Sequence, residues 1–309
     1  MRAVVDIGSN SVKFTVARVE RDAPVVLGSG SWITRLGSGS AQRRLLPEAV
    51  AKTRHALDEI NTALRGFRDE HGAPEVKIVA TSAVRDATNP EAVTALAEEI
   101  LGVPVRVLSG LEEARIAIEG AAAASERVFS HRRSLFFDMG GASTEVGRIE
   151  PSFRAHSFQA GAVRCHNAFG FGSAVVDDTA WAKAHREIAN FFPAADWDRL
   201  FSGASDRAPT AVAVGGTLVL ASKLVPTARD HSPAGLVVSL EEVRELGERL
   251  RRLDAKDRFQ VPHMAEGRAD IVVSGLLILE HLLERAGLSE VLVTDWGLRH
   301  GLLRDWSLV

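Results

Sequence analysis

The sequence predicts an α/β protein built from two similar domains that face one another across a cleft. Three observations carry this expectation. The chain has 309 residues, more than one hydrophobic core usually holds. Short apolar β-like runs alternate with amphipathic helical runs along its whole length. An apolar strand leading into Asp-x-Gly and small hydroxyl residues occurs twice, as Val4-Val5-Asp6-Ile7-Gly8-Ser9-Asn10-Ser11 and as Phe136-Phe137-Asp138-Met139-Gly140-Gly141-Ala142-Ser143. The strand after each copy ends in Arg-aliphatic-Glu, Arg18-Val19-Glu20 and Arg148-Ile149-Glu150. Two copies are too few for a solenoid and suggest a duplicated domain instead.

In chain order, Ala3–Val5 and Phe14–Val19 read as strands around a turn, and Val25–Gly28 continues the β pattern. Pro47 opens a long helix with Val50, Leu57, Ile60, Leu64 and Phe67 on one core-facing stripe, ended by Gly72. Val76–Ala80 reads as a buried strand. Asn89-Pro90 caps a helix that runs through Leu101 to Gly102, Val103–Leu108 is a further strand, and a helix starts near Ser109. Strand Ser134–Phe137 enters the second glycine turn. A helix then carries Trp181, Ala184, Ile188 and Phe191 on one face, and Ala211–Val214 is a strand. Helices around Val243–Leu253 and Ile271–Leu283, strand Val291–Thr294 and a short helix Leu298–Trp306 close the chain. The polar stretch from Ser125 to Arg133 is the expected crossing, giving domains 1–125 and 126–309. The last helix is free to pack back on the first.

Composition narrows the function. Lys plus Arg is 37 against 40 Asp plus Glu, a net charge of −3, which excludes a globally basic nucleic-acid binder. The single cysteine, Cys165, cannot form an internal disulfide and suits a reducing compartment. Asp6 interrupts the N-terminal apolar run too early for a signal peptide, and Ser274, Gly275, Glu280 and His281 break the longest apolar stretch. A cytoplasmic protein with neither membrane nor nucleic-acid partner is expected.

The repeated motif suits phosphate chemistry. A strand end fixes the carboxylate, glycine lets the backbone approach, and free N–H groups with hydroxyls can surround phosphate oxygens. The turn residues Gly8, Ser9, Asn10 and Ser11, and Gly140, Gly141, Ala142 and Ser143, are the candidate phosphate binders. Asp6 and Asp138 would repel phosphate directly, so they imply a bridging cation, and oxygen-only ligands make it Mg²⁺. The plainer reading is two hairpins whose aspartates cap their turns.

Three further segments fit. Ser109-Gly110-Leu111-Glu112 is a capping box, with Glu112 at its third position. Glu113, rotated about 100° round the helix, is left to face a cleft, where it could accept a proton from water. Taken alone, two solvated first-turn acids explain the segment as well. Thr81-Ser82-Ala83-Val84-Arg85-Asp86 follows a buried strand with hydroxyls and a guanidinium suited to a phosphate clamp, or to a surface Arg85–Asp86 pair. Gly215-Gly216-Thr217 opens a helix whose N-terminus suits an anion, or is a tight strand-to-helix link. Neither a dinucleotide fingerprint nor a Walker A sequence occurs, and the histidines lack metal-ligand spacing. His281 reads as a packing residue. Arg43-Arg44, Arg132-Arg133 and Arg251-Arg252 read as solvated pairs.

In this order, the motifs resemble the exopolyphosphatase and guanosine pentaphosphate phosphohydrolase (Ppx/GppA) family, of the sugar kinase, heat-shock ATPase and actin superfamily. The resemblance runs through Asp6 to Ser11, Arg35-Leu36-Gly37, Ala80 to Asp86, Ser109 to Ala114, Asp138 to Glu145, Gly161-Ala162-Val163-Arg164, Gly215-Gly216-Thr217 and Gly297-Leu298-Arg299. It implies two actin-like domains and Mg²⁺-dependent hydrolysis of terminal phosphoanhydride bonds, on inorganic polyphosphate or guanosine pentaphosphate. It makes Glu113 the base and Arg85 a phosphate support. Asp6, Asp138 and Glu145 become the acidic metal set, and Arg164, Thr81, Ser82 and Thr217 join the phosphate site. Ala142 stands where the family usually has a third glycine, and His300 where an acid is common. Longer members add a helical C-terminal domain beyond the point where this sequence ends, so short chains are the expected substrate. A homodimer is compatible with the pattern. A kinase would share the fold, and a non-catalytic sensor of polyphosphate or alarmones would keep the turns but lose Glu113.

Overall fold

The computed structural model describes every residue except 21–22, 126–133, 150–151, 172–173, 202–209, 231–233 and 266. Most of the expected crossing, Arg132-Arg133 and Glu150 of the second repeat therefore lie outside the described residues. The chain divides into two compact units, Met1–Ile116 with Leu298–Val309, and Ala117–Gly297.

The first unit begins with an antiparallel meander of β1 (Arg2–Ile7), β2 (Ser11–Glu20) and β3 (Ala23–Ile33). Helix α1 (Pro47–His71) carries the chain over, as a parallel connection requires, so that β4 (Glu75–Ala80) pairs parallel to β1. Helices α2 (Ser82–Arg85) and α3 (Glu91–Leu101) lead to β5 (Val105–Val107), parallel to β4. The sheet order is β3-β2-β1-β4-β5. Pro47 sits at the start of α1, and Leu57, Ile60 and Leu64 are buried in the sheet-helix core with Val50 and Phe67 packed at its margin. Helix α4 (Gly110–Ser125) follows β5.

The second unit repeats the plan. Strands β6 (Leu135–Met139), β7 (Thr144–Arg148) and β8 (Arg154–Phe158) form the meander. After α5 (Ala162–Phe169), α6 (Asp178–Glu187) and α7 (Ala194–Phe201), β9 (Ala211–Val214) pairs parallel to β6. Helix α8 (Gly216–Lys223) then leads to β10 (Arg229–Asp230) and β11 (Leu236–Ser239). Helices α9 (Leu240–Arg251), α10 (Ala255–Phe259) and α11 (Val272–Ala286) precede β12 (Glu290–Thr294), parallel to β9. The order β10-β11-β12-β9-β6-β7-β8 thus contains β12-β9-β6-β7-β8, the counterpart of β5-β4-β1-β2-β3. Helix α12 (Leu298–Arg304) packs on β1 and β2 of the first unit. Among the described residues no helix is long and apolar enough to cross a membrane.

Local departures from expectation have identifiable causes. The strand expected over Val103–Leu108 is confined to Val105–Val107, because Pro104 has no N–H for the ladder. The expected helix through Phe191 tightens at Ile188 into a 3₁₀ turn. Arg251 is not solvated: it is 4% exposed and ion-paired with Glu248 and Asp178. His281 does pack, its ring 5.3 Å from that of Phe192, and burial lowers its pKa to about 4. Asn89 does not cap α3. Its Oδ1 accepts from the Leu45 N–H at 2.9 Å and its Nδ2 donates to the Leu45 carbonyl at 3.1 Å, tying the two segments together.

This pairing is testable. Aspartate caps a helix as well as asparagine does, but Asn89→Asp would set a carboxylate oxygen against the Leu45 carbonyl. We predict that Asn89→Asp lowers stability by about 1–3 kcal/mol in urea unfolding. A capping role would leave it unchanged.

Candidate active site

Asp6 is the last residue but one of β1, and the chain turns back after Ile7 through Gly8, Ser9, Asn10 and Ser11. The Gly8 N–H donates to the Ser11 carbonyl at 3.1 Å, and a Cβ on Gly8 would come within 3.1 Å of that oxygen. Neighbouring segments consume two more of the turn's acceptors. Gly37 N–H donates to the Ser9 carbonyl at 2.7 Å, and the N–H groups of Thr34 and Arg35 both donate to the Asn10 carbonyl at 3.0 Å. Thr81 N–H donates to the Ile7 carbonyl at 3.2 Å, which pins α2 against the turn, and the Ser9 and Ser82 hydroxyl oxygens lie 2.8 Å apart. Ser9, Asn10, Ser11, Thr81 and Ser82 are all buried. The Asn10 Nδ2 has no hydrogen-bond partner among the described residues.

The second turn has the same construction. Gly140 N–H donates to the Ser143 carbonyl at 2.9 Å, Ala162 N–H to the Gly140 carbonyl at 3.0 Å, and Val163 and Arg164 N–H to the Gly141 carbonyl at 2.8 and 3.0 Å. Arg164 Nε donates to the Ala142 carbonyl at 2.8 Å and its Nη2 to Gln159 Oε1 at 2.9 Å, so this guanidinium braces the turn. Ala142 is accommodated, buried to 3% exposure. Gly161 is required, because a Cβ there would lie 2.3 Å from the Gly141 carbonyl carbon. So is Gly215, at φ 129°, where a Cβ would meet the Met139 carbonyl oxygen at 2.3 Å. The buried Ser143 hydroxyl has no partner among the described residues. With acceptors tied off, both turns present amides and hydroxyl or amide donors, the surface a phosphate oxygen needs.

The charges opposite the two aspartates differ. Asp6 stands across the ladder from Lys13. Burial raises its pKa, while Lys13 and Arg299 pull it down, and Arg299 is held beside it by the Phe14 carbonyl (3.1 Å) and the Thr15 hydroxyl. Asp138 stands across from Glu145, which is 1% exposed and accepts a hydrogen bond from Ser157 Oγ at 2.6 Å. Two carboxylates on one sheet face offer oxygen ligands to a hard cation without forming a full cage. Among the described residues no group of three or more His, Cys, Asp or Glu forms a metal site.

The two adjacent acids of α4 separate as their geometry requires. Glu112 N–H donates to Ser109 Oγ at 3.2 Å, and Glu112 Oε2 accepts from Ser109 N–H and Oγ at 2.9 and 2.7 Å, completing the capping box. Arg106 Nη2 adds a bond to Glu112 Oε1 at 2.8 Å. The Ser109 hydroxyl and amide, then Arg106, lower the Glu112 pKa to about 2. Glu113 turns inward, 8% exposed, and accepts from Arg85 Nη1 at 3.0 Å. The same Nη1 donates to the Leu108 carbonyl at 3.1 Å. Helix α2 therefore joins the Asp6 turn, through Ser82, to Glu113, through Arg85.

Arg299 belongs to the Gly297-Leu298-Arg299 motif, whereas Lys13 and Arg268 were not expected from sequence. Lys13 had a signal: it follows Asp6 at the spacing by which Glu145 follows Asp138. Arg268 had none. It reaches Thr217 Oγ1 from a distant loop, at 3.0 Å through Nη1, and its guanidinium occupies the space where a Gly216 side chain would start.

A duplicated meander-plus-parallel-strand unit, each copy with an aspartate one residue before the end of its first strand and a glycine turn after it, defines an actin-like fold. The chain belongs to the Ppx/GppA phosphatase family, whose sequence profile matches residues 15–309. It is 28% identical over 323 residues to exopolyphosphatase 2 of Mycobacterium tuberculosis, covering 97% of this chain and 96% of that protein. It is 27% identical over 310 residues to a guanosine-5'-triphosphate,3'-diphosphate pyrophosphatase of Pseudoalteromonas atlantica, covering 97% of this chain and 57% of that one. The solved structure of an exopolyphosphatase from Cytophaga hutchinsonii superposes with a TM-score of 0.80 at 21% identity, covering 97% and 96% of the two chains.

The Glu112 pKa yields a prediction with a definite sign. Folding depresses this carboxyl from its ordinary value of 4.5 to about 2. The stability it contributes is complete above pH 4.5 and lost as pH falls towards 2. Glu112→Gln should cost about 1 kcal/mol or less, given the side chain's exposure, and retain kcat. Its Tm should fall less steeply than that of the wild type between pH 4.5 and 2. Parallel curves would remove Glu112 from the acid response.

Proposed function

We propose that this protein is a cytoplasmic exopolyphosphatase that removes terminal phosphates from short inorganic polyphosphate with the aid of Mg²⁺. The observation that carries this reading is the connection, through α2, of a donor-lined phosphate turn to a buried carboxylate with its own guanidinium. Turn amides and the Asn10 and Ser143 donors would hold phosphoryl oxygens. Glu113 would orient a water molecule for in-line attack and take its proton, since a carboxylate beside a bound polyanion gains basicity. Arg85 fixes the carboxylate beforehand and offers charge to the phosphoryl group as it arrives. Asp138 and Glu145 would hold Mg²⁺, whereas Asp6 is already balanced by Lys13 and Arg299. When bound, the cation neutralises phosphoryl oxygens and polarises the reacting bond. No covalent intermediate is needed, and the buried Cys165 thiol, with its pKa pushed up to about 12, is unsuited to form one.

Guanosine pentaphosphate is the second reading, supported by the relative named for that class of substrate. Phosphate release from tripolyphosphate, long polyphosphate and guanosine pentaphosphate, assayed in parallel with Mg²⁺, separates the two. Tripolyphosphate should show the highest kcat/KM, with a shallow salt dependence, because few phosphates are contacted (an argument borrowed from nucleic-acid binding). Processive degradation of long chains would defeat the short-chain reading.

Glu113→Gln should fold and lose about 10²–10⁴-fold in kcat. A rate near wild type would exclude Glu113 as base. EDTA should abolish turnover of the wild-type enzyme, and Asp138→Asn should raise the Mg²⁺ concentration needed for half-maximal rate. Full activity in chelator would refute the cation assignment.

A further inference from the structure

Arg258 is 0% exposed, and a buried charge is expensive unless it is hydrogen-bonded. All three nitrogens of its guanidinium donate to main-chain carbonyls, which come from separate segments. Nε donates to Leu250 and Leu253 at 3.0 Å each, Nη1 to Ala269 at 2.7 Å and Nη2 to Ala174 at 3.1 Å. Burial pushes its pKa down, and Asp270 and Asp254 oppose that shift. Among the described residues between Arg258 and Ala269, His263 (φ 70°) and Gly267 (φ 67°) have left-handed backbone. The bond from Arg258 to Ala269 ties the end of α10 to the residues that precede α11.

The residue beside Ala269 is Arg268, the guanidinium that lies over Gly216 and donates to Thr217 Oγ1. The Arg268 carbonyl accepts the N–H groups of Ile271 and Val272 at 3.1 and 2.9 Å, so the chain passes directly into α11. Helix α11 lies close to the same turn, since a Cβ on Gly275 would fall 2.5 Å from Thr217 Cγ2. A shift of the Ala269 peptide would therefore move the base of the Arg268 side chain relative to Gly215-Gly216-Thr217.

We propose that Arg258 is a positioning residue for phosphate recognition: by fixing the Ala269 carbonyl it sets where the Arg268 guanidinium stands over the Gly215-Gly216-Thr217 turn. The inference rests on the reading of that turn as a phosphate site. Lysine cannot replace Arg258, because a single ammonium does not span four carbonyls in a planar fork. Displacement of a positioned group by about 1 Å can cost on the order of a hundredfold, so loosening this contact should be visible in kinetics.

The test is a double-mutant cycle on tripolyphosphate hydrolysis with Mg²⁺, using Arg258→Lys, Arg268→Ala and the double variant, with Tm measured for each. Arg268→Ala and Arg258→Lys should each raise KM about tenfold with kcat changed about threefold or less. The double variant should be no worse in KM than Arg268→Ala alone, because residues that act through one another are not additive. Arg258→Gln serves as a second variant if the lysine protein fails to fold. Losses that multiply in the double variant would overturn the inference. So would a lowered Tm with wild-type KM, or failure of both Arg258 variants to fold, leaving Arg258 a purely structural staple. Failure of the underlying functional reading looks different: the wild-type enzyme would release no phosphate, or Arg268→Ala would keep wild-type KM.

Discussion

The hydrogen bond that closes each glycine turn, Gly8 to Ser11 and Gly140 to Ser143, is the constraint on which the rest of the structure depends. It sets the register of each hairpin, so that Asp6 faces Lys13 and Asp138 faces Glu145. It also leaves a row of carbonyls that a phosphate would meet as repulsion unless something else occupied them. The segments around Thr34–Gly37 and Gly161–Arg164 do that, each donating to the turn beside it. Their glycines and tight contacts follow from this task. A turn alone is only a hairpin end, whereas a turn with its acceptors consumed is a donor surface.

The two copies share a backbone and differ in charge. In the first, Lys13 and Arg299 supply fixed cations beside Asp6. In the second, a second carboxylate stands opposite Asp138. Like charges side by side in a half-buried place are unfavourable, so the second copy gains from a bound cation while the first already contains its own. The two copies thus carry similar glycine turns with unequal electrostatics.

The fold was largely legible because its signals are local and repeated. The stripe of α1, the strand Ala211–Val214 and the paired Asp-x-Gly turns follow from periodicity and glycine chemistry, and the capping box put Glu112 and Glu113 on different sides of α4 before any coordinates. Legibility failed where the partner is distant in sequence. Asn89 looked like a cap because capping is the local option, yet Leu45 offered both a donor and an acceptor. Arg251 looked solvated because charge pairs usually are, yet Glu248 and Asp178 enclose it. Arg268 carries no motif, and only the folded chain brings it to Thr217. Lys13 is the intermediate case, visible once the repeats are aligned on their aspartates.

The pairing of Arg85 with Glu113 is not explained by stability. Their side chains are 19% and 10% exposed, and a buried ion pair rarely improves on well-packed apolar residues of similar volume. What the pair does achieve is placement. One turn of α4 needs a single acid for its capping box, and Glu112 fills that role facing outward. The next residue must then point about 100° away, inward, where Arg85 meets it. The same Nη1 that holds Glu113 also donates to Leu108, the residue before the cap. The carboxylate, the guanidinium and the start of α4 therefore form one hydrogen-bonded unit. Within the first unit, moving Glu113 away from Arg85 would require opening that unit, so the position of the proposed base is set by the backbone of the cap rather than by a freely rotating side chain.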